Sequence, residues 1–242
     1  MSTVIISGNV VKDAVIRKST NGKLVELFTV AVSRRFKPED ADFLNVSKII
    51  ENENGKVKKG DSVRVTGYLH SYKTKAGQTR MLVNARSVTR VVQRKYRPNL
   101  VMISGRLTRD AEISEVNGRW RMRFTVAENH GENRPATFVQ VEQWKKNEPK
   151  FTIHKGEFVY VMGSIQVSNV EKDGTWYENV RIFAEDIETA ISDASSSRKK
   201  ETMEAGENND SSAADANNIG TVESEMELPD FSELSDDCEV PF

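Results

Sequence analysis

The sequence predicts an all-β chain: two small five-stranded Greek-key barrels in tandem, followed by a disordered acidic tail. Three observations lead there. The chain repeats itself at the scale of a whole domain. Each copy consists of short β-branched or alternating runs divided by turn residues. The composition then changes abruptly near Ser192.

The repeat is plain in the residues. Val4 to Ala31 reads VIISGNVVKDAVIRKSTNGKLVELFTVA, and Val101 to Ala127 reads VMISGRLTRDAEISEVNGRWRMRFTVA. Gly8 matches Gly105, Asp13 matches Asp110, Gly22 matches Gly118 and Phe28 matches Phe124, at an offset moving from 97 to 96. KGDSVRVTGYL (Lys59–Leu69) then matches KGEFVYVMGSI (Lys155–Ile165). The period is one domain, far longer than a solenoid unit. The expected division is 1–97, 98–192 and a tail over 193–242.

Taken in order, VIISGNVV is a β-branched run whose internal glycine signals a bulge or bend in a curved strand. Asp13 and Asp110 read as a turn ending that strand. Asn21-Gly22 and Asn117-Gly118 are hairpin turns, since both residue types tolerate positive φ. RWRMRFTV follows the second turn. Its Trp120, Met122, Phe124 and Val126 alternate with Arg119, Arg121, Arg123 and Thr125, giving an apolar core face and a basic outer face. Phe28, Trp120 and Phe124 carry the core pattern. The third strand is FLNVSKII (Phe43–Ile50) or TFVQVEQW (Thr137–Trp144). Between third and fourth strands, ENENGKV and NEPKFTI leave room for one helical turn or a loop. Lys59-Gly60 and Lys155-Gly156 introduce the fourth strand. The fifth returns after a turn at Gly77 or Gly174. Five short strands in about 95 residues suggest a Greek-key barrel of the OB type. Tyr96 to Asn99, around Pro98, read as the linker.

The net charge of −1 conceals an asymmetry. Residues 201–242 hold 13 acidic residues and no Lys or Arg, which leaves 1–200 at +12. Residues 1–97 alone carry 20 basic and 8 acidic side chains, whereas 98–200 carry 15 of each. A basic body with an acidic tail fits a polyanion ligand and a separate role for the tail; solubility alone is the plainer alternative. The first repeat would supply most of the electrostatic attraction, and the second would act chiefly by stacking. Cys238 is the only cysteine, so no intrachain disulfide is possible and a reducing compartment is expected. MSTVIISGNV lacks signal-peptide character, and no stretch is apolar enough to span a bilayer. No membrane association is expected, and the expected location is cytoplasmic.

No catalytic constellation is visible, so no enzyme activity is expected. His70, His130 and His154 share no metal-ligand spacing. No phosphate-cradling loop is present. Neither metal nor cofactor is expected.

A binding surface is clearer. Strand alternation sends Leu44, Val46, Val139 and Val141 inward. Phe43, Asn45 and Ile49, and likewise Phe138, Gln140 and Trp144, then lie outside. Outward aromatics beside Lys48, Lys145 and Lys146 suit single-stranded nucleic acid, because bases stack on rings while cations track the backbone. Packing against a neighbouring subunit or loop is the competing reading. Arg34, Arg35, Phe36 and Lys37 form a second basic-aromatic cluster. Tyr72, Lys73 and Arg80 surround a hairpin tip, with Trp176 at the matching hairpin of the second repeat. For Phe36, Tyr72 and Trp176, ligand stacking and hairpin packing stand level. Arg121 joins the set from its basic strand face.

These residues resemble the bacterial single-stranded DNA-binding proteins. VIISGNVVKDAVIR is similar to the family's opening pattern V-I-L-V-G-N-L-x-x-D-P-E-V-R. NGKLVELFTVAVSRRF resembles its next hairpin, with Phe36 where a base-stacking tryptophan is usual. Phe43 and Phe138 fall at the next stacking aromatic and Trp144 at a third. DDCEVPF resembles the acidic tip that closes such chains. The resemblance implies an all-β OB fold and binding of single-stranded DNA without sequence preference. It further implies roles in replication, recombination and repair beside the nucleoid, with partner enzymes recruited through Asp236, Asp237, Glu239, Val240, Pro241 and Phe242. Usual members carry one domain per chain and form tetramers. The fused pair here resembles the tandem members, which implies a homodimer with four barrels. Ile49 replaces the third aromatic in the first repeat, Glu128 to His130 replace the Phe36 position in the second, and Cys238 interrupts the acidic tip. An RNA-binding OB protein and a protein-binding adaptor are the alternatives.

Overall fold

The computed structural model describes residues 2–19, 21–34, 40–74, 78–92, 98–131, 135–172 and 175–189, with side chains left aside for 169–177. Arg35, Phe36, Lys37, Gly77, Tyr96, Gly174, the Trp176 side chain and the whole tail with its tip lie outside this description.

The described residues form twelve strands and no helix. In the first repeat they are β1 (Thr3–Val10), β2 (Val15–Lys18), β3 (Leu24–Ser33), β4 (Ala41–Ile50), β5 (Ser62–Lys73) and β6 (Thr79–Arg90). The second has β7 (Asn99–Leu107), β8 (Glu112–Val116), β9 (Arg119–Glu128), β10 (Thr137–Lys145), β11 (Phe158–Lys172) and β12 (Thr175–Thr189). Five strands close each barrel. β1, β3, β4, β6 and β5 pair in a ring, and β4 meets β6 in parallel. The second ring repeats this, with β10 parallel to β12. That parallel pair is the long return connection of a Greek key. The sixth strand of each copy, β2 or β8, is a short hairpin arm on β3 or β9. It occupies the residues between the first strand and the Asn-Gly turn of each copy.

Alternation explains the cores. Val4, Ile6, Phe28, Val30, Val32, Leu44, Val46, Val63, Val65 and Leu69 fill the first barrel. Met122, Phe124, Val126, Val139, Val141, Val159, Val161, Ile165 and Ile182 fill the second. Trp120 is a correction to the expected core set. It sits half-buried at the start of β9, where the barrel end no longer encloses it. The hairpin turns hold, with a difference between them. Asn117 and Gly118 both take positive φ, 52° and 71°, as a two-residue turn requires. In the longer first turn Gly22 alone among the described residues does, at 78°, while Ser19 N–H donates to the Lys23 carbonyl at 2.8 Å. Asp13 and Asp110 accept the backbone N–H of Lys59 at 2.8 Å and of Lys155 at 2.7 Å, holding the loops before β5 and β11.

The glycine inside VIISGNVV marks close approach rather than a bulge. Gly8 lies where β1 crosses β3 to close the barrel, and a Cβ there would run into the Ala31 carbonyl oxygen. Gly105 meets the Ala127 carbonyl in the same way. The register shifts occur instead at Thr66/Gly67 and Met162/Gly163. Gly8→Ala and Gly105→Ala are each expected to destabilise the chain by about 1–3 kcal/mol, as overpacking does. Urea unfolding checks this, and midpoints equal to wild type would refute the closure argument.

The barrels are joined by backbone. β1 pairs antiparallel with β7 from Thr3↔Met102 to Ile6↔Asn99, and Ser7 N–H donates to the Pro98 carbonyl at 2.8 Å. An ion pair within the first barrel also reaches the second barrel through hydrogen bonds to the Val167 backbone. Asp42, 1% exposed, accepts Arg34 Nε at 3.0 Å and Nη2 at 2.8 Å. It also accepts the Val167 N–H of β11 at 2.8 Å, while Arg34 Nη2 donates to the Val167 carbonyl at 3.2 Å.

Candidate nucleic-acid interface

The outer face of each barrel is built by β3, β4 and β6, or by β9, β10 and β12. Corresponding positions on the two faces carry opposite chemistry. On the first, Val25 and Leu82 are buried together with Leu27 and Tyr72 packed against them. Matching positions on the second are Arg121, Leu82's counterpart Arg181, Arg123 and Ser168, by the repeat offset and the β4–β6 and β10–β12 registers. One face is thus apolar and the other cationic.

The cationic face is organised around an aromatic and a carboxylate. Trp144, near the end of β10, is half-buried. Arg119 and Arg121 lie over its ring at 5.9 and 5.8 Å, in range of cation–π attraction. Its indole Nε1–H donates to Glu142 Oε1 at 2.6 Å. Arg181 Nη1 donates to Glu142 Oε2 at 2.8 Å, and its Nη2 donates to Ser168 Oγ at 3.0 Å. Arg121 Nη2 reaches Ser114 Oγ at 3.3 Å. Arg123 Nη2 donates to Glu112 Oε2 at 2.8 Å, and that bond is the main cause holding the Glu112 carboxyl below its usual range. Phe138 stands six residues before Trp144 on the same face, 58% exposed. Lys145 is exposed, with Nζ 5.8 Å from the Phe151 ring.

The expected residues of the first barrel are more dispersed. Phe43 is half-buried on β4 opposite Ala31, beside the Thr29 Oγ1 to Asn45 Oδ1 hydrogen bond of 3.0 Å. Lys48 follows the inward parity of Leu44 and Val46 and is half-buried at the barrel end, across from Glu26. Tyr72 packs with Val25 and Leu82. Lys73 is exposed at the end of β5. Arg34 is committed to Asp42, whose hydrogen bond raises the guanidinium pKa against the opposing pull of burial. Arg80 lies near Glu178 of the second barrel. Burial raises the Glu178 carboxyl, and Arg80 partly offsets this. His70 is pushed down to about 4, chiefly by burial and secondly by His130.

The sequence matches the single-strand binding protein family twice, over residues 1–97 and 98–190. The chain belongs to that family. It is 30% identical over 157 residues to single-stranded DNA-binding protein 3 of Clostridium acetobutylicum, covering 60% of this chain and 99% of that protein. It is 34% identical over 98 residues to the single-stranded DNA-binding protein of Lactiplantibacillus plantarum, covering 37% of this chain and 46% of that one. In fold it is similar to the wild-type single-stranded DNA binding protein from Thermus aquaticus, at TM-score 0.63 and 17% identity. That alignment covers 85% of this chain and 97% of the other.

Within this family framework, the residues that sequence reasoning missed on the second face are Glu142 and Arg181. The alternation that places Phe138, Gln140 and Trp144 outside also places Glu142 there, so its signal was present. Arg181 reaches the face only through the parallel β10–β12 pairing, Gln140↔Arg181, which no local pattern reveals.

Proposed function

We propose that this chain binds single-stranded DNA without sequence preference, coating and protecting it during replication, recombination and repair. The observation that carries this reading is the outer face of β10: exposed Phe138 and, six residues on, Trp144 beneath two arginines. Rings offer stacking surface to any base and guanidinium groups meet phosphates, so neither contact reads sequence. The relatives named as single-stranded DNA-binding proteins support the same ligand. The protein acts as a homodimer of four barrels in the bacterial cytoplasm, at the nucleoid. Its acidic tail ends in a partner-binding tip, Asp236 to Phe242, where Pro241 restricts the backbone before the Phe242 anchor and lowers the ordering cost of docking.

Titration with oligo-dT, oligo-U and duplex DNA, read by tryptophan quenching, tests the ligand class. Tight binding of oligo-dT with weak binding of duplex is expected. Preference for oligo-U would favour an RNA ligand, and no binding to any would favour a protein adaptor. Deleting Asp236 to Phe242 is expected to leave oligo-dT affinity equal or slightly higher, because an anionic segment competes weakly with DNA at low salt. The same deletion should abolish capture of replication and repair enzymes from host extract. Loss of DNA binding, or undiminished capture, would count against recruitment through the tip.

A further inference from the structure

A buried carboxylate sits in the cationic face of the second barrel. Glu142 is 6% exposed, yet it lies between Trp144 and Arg181, taking a hydrogen bond from each. A negative charge on a phosphate-binding face opposes the ligand, so electrostatics alone argues against it. Its position in the repeat is informative. Ser47 occupies the corresponding place on β4, where Ile49 and Leu82 stand for Trp144 and Arg181. The carboxylate is thus present on the face that has the two donors and absent from the face that lacks them.

The geometry gives Glu142 a task. Packing beneath Arg119 and Arg121 restrains the half-buried indole only in part, and a held N–H removes further torsional freedom. The short charge-assisted bond to Oε1 fixes the ring plane. The second oxygen and Ser168 Oγ together fix the guanidinium of Arg181. Groups already fixed lose less freedom when a strand arrives. We propose that Glu142 is a positioning residue for single-strand binding: it holds the Trp144 ring plane and the Arg181 guanidinium ready for a base and a phosphate. The inference rests on the single-strand-binding reading of this face and deepens it.

The test turns on a sign. If Glu142 acted only as a charge, removing it would tighten binding to a polyanion. If it positions Trp144 and Arg181, removing it weakens binding despite the lost repulsion. In the full chain, Glu142→Ala is expected to weaken oligo-dT binding roughly five- to a hundredfold, the effect of two newly mobile side chains, Trp144 and Arg181. Glu142→Gln has one acceptor oxygen for two donors and should fall between wild type and alanine. Placing Glu142→Ala in a Trp144→Ala background should remove about half of the loss in free energy, since the ring is gone and only Arg181 is left to hold. The Trp144 indole N–H resonance, read by nitrogen-15 NMR without DNA, should move upfield in both single variants. Either variant binding oligo-dT more tightly than wild type overturns the proposal, as does an unmoved indole resonance. If the alanine variant does not fold, the glutamine variant decides by the same sign. If wild type itself fails to bind oligo-dT, the single-strand reading falls and this inference with it. If wild type binds and only the Glu142 variants behave wrongly, this inference alone falls.

Discussion

Replacing Asp42 by alanine is expected to destabilise the folded chain by about 3 kcal/mol, the low end for breaking a buried ion pair. The low end applies because Arg34 is 31% exposed and keeps Asp40 at 3.8 Å, so water and a second carboxylate offset part of the loss. The half-buried Val167 N–H loses its acceptor as well. It donates to Asp42 across the junction of the barrels, and an amide stranded there costs about 1–3 kcal/mol. Asp42→Asn should cost roughly half as much, because one carbonyl oxygen can still accept from Val167 or from Arg34 but not from both arginine nitrogens and the amide together. Urea unfolding gives the magnitude. A double-mutant cycle with Arg34→Ala gives the coupling, and hydrogen exchange at Val167 locates it. An Asp42→Ala variant within 1 kcal/mol of wild type would show that neither the Arg34–Asp42 pair nor its link to Val167 holds the fold together.

How far the sequence carried this picture depends on the range of the information. Alternation is local, so the buried faces of β3, β4, β9 and β10 were legible from Phe28, Leu44, Phe124 and Val139. The Asn-Gly turns were legible for the same reason. The role of Gly8 was not, because its constraint comes from Ala31 on a strand that approaches only when the barrel closes. Trp120 kept the core parity but sits where the barrel runs out, and parity carries no measure of where a barrel ends. Arg34 looked like a surface cation beside Phe36. Its partners Asp42 and Val167 lie 8 and 133 residues away, and the second distance is beyond any pattern in the chain. Net charge is silent on placement for a related reason. The first repeat is the more basic, yet its outer face buries Val25 and Leu82, whereas in the neutral second repeat two arginines gather over the Trp144 ring. Charge summed over a domain says nothing about which face bears it.

That contrast sets the largest expected effect on binding. Phe138→Ala combined with Trp144→Ala should weaken oligo-dT binding by roughly 2–6 kcal/mol, about 1–3 for each base that loses its ring. The two losses should add. Six residues of strand separate the rings by about 20 Å, beyond the range at which truncations usually couple, so they serve different bases. Thermal stability should change little for Phe138, whose ring is mostly in solvent. The salt dependence of binding should stay as in wild type, because stacking releases no counterions. Arg119→Ser with Arg121→Ser should do the reverse. Losing two phosphate contacts lowers the slope of log affinity against log salt by about 1.4, at roughly 0.7 per contact on a single strand. Both sets are read by titrating the full chain with oligo-dT over a salt series. If the aromatic variants change the slope while the arginine variants leave it alone, stacking and phosphate contact have been assigned to the wrong side chains. If neither pair alters binding, the strand lies on the apolar face of the first barrel instead.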